Sequence, residues 1–153
     1  MKETASMSHL PANHALRGLY RTTAFLSGAA LAAYGVIGYL STSDREFFSR
    51  DSERVLGLTT NPAGAVLAFV VGVLVLLGVL IGRNVDVRVD ITLGILLLIV
   101  ATVMLALLRT DGNVLAFSIT NVNVYYVIGL VLITAGLYSS TDPAPRVVSV
   151  SRN

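Results

Sequence analysis

Few side chains in this sequence are arranged for chemistry. His9 and His14 stand five apart in the N-terminal segment, with no Cys or carboxylate companion, and so make no set at metal-ligand spacing. Residues 44–54 form the most charged run, with Asp44, Arg45, Glu46, Arg50, Asp51, Glu53 and Arg54 around a Phe47-Phe48 pair. Its acids lack the spacing of an EF-hand loop, and arginines stand among them. Glu46 and Arg50 are four apart in the favourable helical order. With Phe47 and Phe48 dipping into a membrane interface, the run predicts a short surface helix. Phe47, Phe48, Arg50 and Arg54 are then the residues an outside partner would touch. Asn61 and Asn121 each read as a helix-capping residue, or together as a polar site at a helix mouth. The absence of cysteine excludes disulfides, zinc thiolates and a Cys nucleophile. No Ser-His-Asp arrangement or Gly-rich phosphate loop is present. No catalytic, cofactor or metal residue is expected, and the chain does not read as an enzyme.

The elements that must carry these residues are set by four stretches free of Asp, Glu, Lys, Arg and His: residues 22–40, 63–82, 91–108 and 122–138. Each approaches the roughly 20 apolar residues that cross a hydrocarbon core of about 30 Å. The 153-residue chain is 54% hydrophobic and 13% charged, about half the charge of a soluble domain. The expected fold is an all-α four-transmembrane-helix bundle over residues 19–139, flanked by tails at 1–18 and 140–153. A net charge of +2 without a dense basic run excludes a nucleic-acid footprint. Arg17 and Arg21 before the first stretch, with Ser41 and Ser43 after it, also resemble a secretory signal. The stretch is longer than a signal core of about 7–15 residues, so it reads as a retained span. Tyr20, Tyr39, Tyr125, Tyr126 and Tyr138 fall near span ends, where amphipathic rings suit the interface.

Four spans put both termini on one side. That side holds Lys2, Arg17, Arg21, Arg83, Arg88, Arg146 and Arg152, against Arg45, Arg50, Arg54 and Arg109 on the other. The excess places the termini in the cytoplasm of a bacterial inner membrane. Small residues recur on helix faces: Gly28, Ala32 and Gly35 in the first span, Gly64, Ala68 and Gly72 in the second, Gly129 and Gly136 in the fourth. Such faces bring helix backbones together in lipid, within one bundle or against a partner. The third span has Gly94 alone and is expected to show more surface to lipid. Asn123, Thr102 and Thr134 are expected to bond between helices.

Val55-Leu56-Gly57-Leu58-Thr59-Thr60-Asn61 before the second span is echoed by Val114-Leu115-Ala116-Phe117-Ser118-Ile119-Thr120-Asn121 before the fourth. The echo suggests two helix hairpins in parallel repeat. This pattern, with Pro62 entering a Gly-rich helix, resembles small four-span actinobacterial membrane proteins of a family of unknown function, over about residues 18–139. The resemblance implies a four-span fold and no particular activity. Family histidines that follow the Asn in each half have no counterpart here, where residues 63–66 and 122–126 hold no histidine.

The spans hold no ionisable residue, which argues against a proton-coupled carrier working alone. Two functions remain open. One is a non-enzymatic accessory or scaffolding subunit that binds lipid and a membrane-protein partner or a second copy of itself. The other is a small oligomeric transporter or channel for an uncharged or lipidic solute, with a pore lined by backbone, Asn and Thr groups.

Overall fold

The computed structural model describes residues 14–141. His9, Lys2, Arg146, Arg152 and the prolines after Asp142 lie outside the described residues. Four helices run α1 (Arg17–Thr42), α2 (Pro62–Ile81), α3 (Val85–Leu107) and α4 (Ile119–Tyr138). All four are long and apolar enough to cross a membrane. The protein is an integral membrane protein with a four-helix bundle.

Neighbouring helices run antiparallel. Gly28 faces Gly72 and Gly35 faces Phe69 across α1 and α2, while Gly94 faces Gly129 and Ile91 faces Gly136 across α3 and α4. Each pair is a helix hairpin closed on glycine. A Cβ on Gly35 would lie 2.5 Å from the Phe69 nitrogen, and one on Gly94 would lie 2.7 Å from the Gly129 carbonyl oxygen. In lipid, backbone approach of this kind supplies the van der Waals contact that hydrophobicity supplies in water. The most apolar stretch of α3 is 33% buried, as in α1 and below the 44% of α2 and 39% of α4, and its single glycine sits at the crossing with α4.

α2 begins at Pro62, with Asn61 as N-cap accepting the Gly64 amide at 2.8 Å. Proline at the first helical position gives up a donor the helix would leave unpaired. The helix ends at Gly82, whose amide reaches the Gly78 carbonyl at 3.0 Å. Gly82, Arg83 and Asn84 all take positive φ, at 63°, 54° and 64°, so only three residues turn the chain into α3. Asn84 meets the far end of the chain: its side chain donates to the Thr141 carbonyl and accepts the Thr141 amide at 2.8 and 2.9 Å.

The short surface helix expected around Glu46–Arg50 does not form. Residues 43–50 make turns, and the chain continues as a two-stranded antiparallel hairpin, β1 (Glu53–Val55) and β2 (Leu58–Thr60). Leu56 and Gly57 both adopt positive φ, at 51° and 87°, the geometry of a two-residue hairpin turn. The helical pairing loses because the charges have better partners. Arg45 meets Glu53 at 2.7 Å, and Arg50 pairs with Asp111 across the loops. Asn61 also holds the Ser49 carbonyl, and the Ala63 amide donates to the Phe47 carbonyl.

The core is a column of buried side chains along the bundle. Tyr125, Leu97, Leu132, Val71, Val75 and Val122 are its largest fully buried apolar side chains, and Tyr125 packs edge-on against Phe117.

Candidate functional site

Two polar layers close the bundle, one at each end. At the hairpin end, the Asn61 amide nitrogen donates to the Ser49 carbonyl at 2.8 Å and the Val114 carbonyl at 2.9 Å, while its oxygen caps α2. One buried side chain thus ties both loops to a helix start. Asn121 works differently. Its oxygen accepts the Thr59 amide at 3.0 Å and its nitrogen donates to the Thr59 carbonyl at 2.7 Å, so it completes the free edge of β2 as another strand would. The same oxygen accepts from the Ser118 hydroxyl at 2.7 Å, in a capping box that starts α4. Tyr34, from the middle of α1, donates its hydroxyl to the Thr59 carbonyl at 3.0 Å.

The two asparagines do not pair in a shared site. Nor are they equivalent: Asn61 is the N-cap of α2, whereas Ser118 is the N-cap of α4 and Asn121 sits three residues inside it. The aligned Asn of the two lead-ins therefore fall at different helical positions, although both lead-ins turn through positive φ, at Leu56 and Ala116.

At the end where the chain enters and leaves the bundle, the layer is charged. α1 starts earlier than its uncharged stretch and brings in Arg17 and Arg21; α3 starts earlier than its own and brings in Asp86 and Asp90. Both aspartates are fully buried. Arg21 Nε lies 3.0 Å from Asp86 Oδ2, with its N–H not aimed at that oxygen, and an Arg17 nitrogen lies 4.0 Å from it. The same guanidiniums serve helix ends. Arg21 donates to the Val79 carbonyl in the last turn of α2 at 2.5 Å, and Arg17 to the Ser139 carbonyl just past α4 at 2.9 Å. Cations at two helix C-termini and Asp86 in the first turn of α3 all complement the helix dipoles. The four helices are clasped here by one ionic layer.

Sequence reasoning missed this layer because it drew each span to exclude charge. A signal was present in the spacing. Arg17 and Arg21, like Asp86 and Asp90, are four apart, and each pair continues a buried stripe, Ala24, Gly28 and Leu31 in α1 and Leu93, Leu97 and Ala101 in α3. The helices therefore carry ionisable groups at one end, so the bundle is not free of charge along its whole length.

The small-residue faces sit at helix contacts within the chain. Gly28 and Gly72 lie at the α1–α2 crossing with Ala32, Gly35 and Ala68 beside it, Gly64 against the Leu115 carbonyl, Gly129 against Gly94 and Leu98, and Gly136 against Val87 and Ile91. Phe47 and Phe48 are exposed and meet edge-to-face at 4.8 Å, and Arg54 is exposed on β1. Thr102 bonds Tyr126 between helices at 2.9 Å, while Thr134 bonds back to Leu130 within α4. His14 lies against Tyr20 and Tyr138. Among the described residues no three His, Cys, Asp or Glu side chains come together as a metal set.

A family model described as a domain of unknown function, DUF4383, matches residues 21–138. The chain belongs to the DUF4383 family. Comparison with curated proteins and with solved structures finds no match. The match takes in α2, α3, α4 and α1 from Arg21 onward in this DUF4383 protein, with Arg21, Asp86, Asp90, Asn61 and Asn121, while Arg17 and Ser139 of the charged layer lie just outside it.

Proposed function

We propose that this protein is a non-enzymatic accessory or scaffolding subunit of a larger complex in a bacterial, actinobacterial, inner membrane, with both termini in the cytoplasm. The observation that carries the reading is that the small-residue faces meet other parts of the same chain, which leaves the exposed surface for a partner. Apolar side chains occupy the interior between the two polar layers, and grooves lie open on the flanks. The exposed Phe47-Phe48 pair and Arg54 at the hairpin end are the part of that surface suited to a protein partner, since aromatic and Arg side chains anchor interfaces. Extraction of native membranes in mild detergent should recover the protein with a stoichiometric partner. A clean monomer from native membranes refutes the reading.

A second reading, a small oligomeric transporter for an uncharged or lipidic solute, is supported by one groove. It is about 310 Å³, is lined by Gly35, Val36, Tyr39, Leu40, Val66 and Phe69, and opens sideways between α1 and α2. An acyl chain matches its lining. Solute or lipid flux in liposomes that is absent from empty vesicles would favour this reading over the first.

A further inference from the structure

We propose that Asp90 is the seat of a small exchangeable monovalent cation, a proton or a sodium ion, that the polypeptide does not itself supply. The proposal goes beyond the scaffold reading and stands independently of it.

Asp90 lies in the second turn of α3, on the buried stripe that continues through Leu93, Leu97 and Ala101. It is fully buried, and neither carboxylate oxygen has a hydrogen-bond partner among the described residues. Arg17 and Arg21 make no ion pair or hydrogen bond with Asp90, which feels Arg21 only as a charge beyond salt-bridge reach. Arg17 and Arg21 make their ion pairs with Asp86 and their aligned hydrogen bonds with the Ser139 and Val79 carbonyls. No ionisable side chain occurs in α2, and those of α4 are Tyr125, Tyr126 and Tyr138. Tyr138 stacks on Tyr20, and Tyr125 is buried against Phe117 toward the hairpin end. Arg88 of α3 is exposed on an outer groove with Leu74 and Thr92. The nearest charge along α3 is Asp86, one turn away and of the same sign.

A buried carboxylate that receives no hydrogen bond from the described residues, and that feels the Arg21 charge only beside the like-charged Asp86, is costly to keep ionised, so such a group takes up a cation or a proton. Other unpartnered polar atoms gather at the same end of the bundle. Besides the two Asp90 oxygens, the buried polar atoms without a hydrogen-bond partner are Arg21 Nε, Asp86 Oδ2, Ser139 Oγ, Ser140 Oγ and Tyr125 Oη. All but Tyr125 belong to this end of the bundle, and three of the remaining four are oxygens that could face a cation. The ligand is monovalent, because Arg21 stands 3.0 Å from Asp86 and no third carboxylate joins the layer among the described residues. Ionisable groups at membrane depth are found where ions or protons are handled.

The test uses the full chain in nanodiscs at neutral pH, in choline chloride and in sodium chloride, with Asp90→Asn and Asp90→Leu as variants. Infrared spectroscopy reads the carbonyl stretch of a protonated carboxyl, and thermal unfolding reads sodium binding. A bound proton gives a protonated-carboxyl band in the native protein that shifts in heavy water, persists in sodium and is lost in both variants. A bound sodium ion gives no such band, but raises the native unfolding midpoint relative to choline, and both variants abolish that rise. Either outcome supports the site and identifies its occupant. A native protein with neither the band nor a sodium-dependent midpoint overturns the proposal. Failure of both variants to fold also overturns it, since removing a carboxylate that has no hydrogen-bond partner among the described residues leaves no bond broken there.

Discussion

Replacing Gly72 by alanine adds one methyl group, and the backbone of α1 stands where it would go. That methyl would lie 2.6 Å from the Gly28 carbonyl oxygen and 2.9 Å from the Ala32 Cα, with the Ala32 nitrogen also in contact. Ordinary contact begins at 3.4 Å, so α1 and α2 must separate by about 1 Å, a gap that forfeits a quarter to a half of each contact well. With about 20 atom pairs at the crossing, each worth about 0.1–0.2 kcal/mol, the separation costs about 1 kcal/mol. Overpacking strain adds about 1–3 kcal/mol. Against this, alanine gains about 1 kcal/mol over glycine as a helix former. The net expectation is a loss of about 1–3 kcal/mol, read by equilibrium unfolding in mixed micelles. Gly18→Ala is the internal control, because nothing lies within 4 Å of its Cβ position. There only the propensity term acts, and stability should stay level or rise. The cysteine-free background permits a second readout: cysteines placed across the α1–α2 crossing should crosslink less readily in Gly72→Ala. If Gly72→Ala proves as stable as Gly18→Ala, the close crossing is refuted.

Further outcomes follow from the two polar layers and from the surface. Asn61→Ala removes a helix cap and the only side-chain donors to the Ser49 and Val114 carbonyls among the described hydrogen bonds. It should cost about 2–4 kcal/mol in the same unfolding assay, and Asn61→Ser, a neutral residue that keeps only the cap, should restore part of that loss. Asp86→Asn should cost about 2 kcal/mol, less than the 3–5 kcal/mol of a fully buried pair, because Arg21 keeps 30% of its side chain exposed. Arg50→Gln breaks an exposed pair with Asp111 and should leave unfolding unchanged; a loss of partner recovery with stability intact would mark Arg50 as a contact residue. Reporter fusions after Ser52 and after Arg146 should show an outside location for the first and a cytoplasmic one for the second, and the reverse pattern inverts the topology.

Hydrophobic length alone determined the main architecture. A helix that crosses a membrane must bury its own backbone hydrogen bonds, so four uncharged stretches of span length leave few alternatives to a helical bundle. Local chemistry also fixed the start of α2, because Asn61-Pro62 is a cap signal that acts within one turn. Spacing placed glycines on common faces, but left open whether those faces met each other or a partner. The structure brings Gly28 to Gly72 and Gly94 to Gly129, since antiparallel hairpins set glycines of successive helices at the same depth.

Three features depended on contacts distant in sequence. The Glu46–Arg50 helix gave way to turns and a β-hairpin once Glu53, Asp111 and the Asn121 amide offered partners from other segments. The two Asn of the repeated lead-ins took different cap positions, because Ser118 was free to start α4. The charged layer was hidden altogether. Sequence shows Arg17, Arg21, Asp86 and Asp90 only as residues outside uncharged stretches, and it takes the packing of four helix ends to turn them inward. Hydropathy sums one segment at a time, so it reports what a helix can bury in lipid. Which charges meet one another, and which carboxylate is left without a hydrogen-bond partner among the described residues, is a property of neighbours that only the folded bundle supplies.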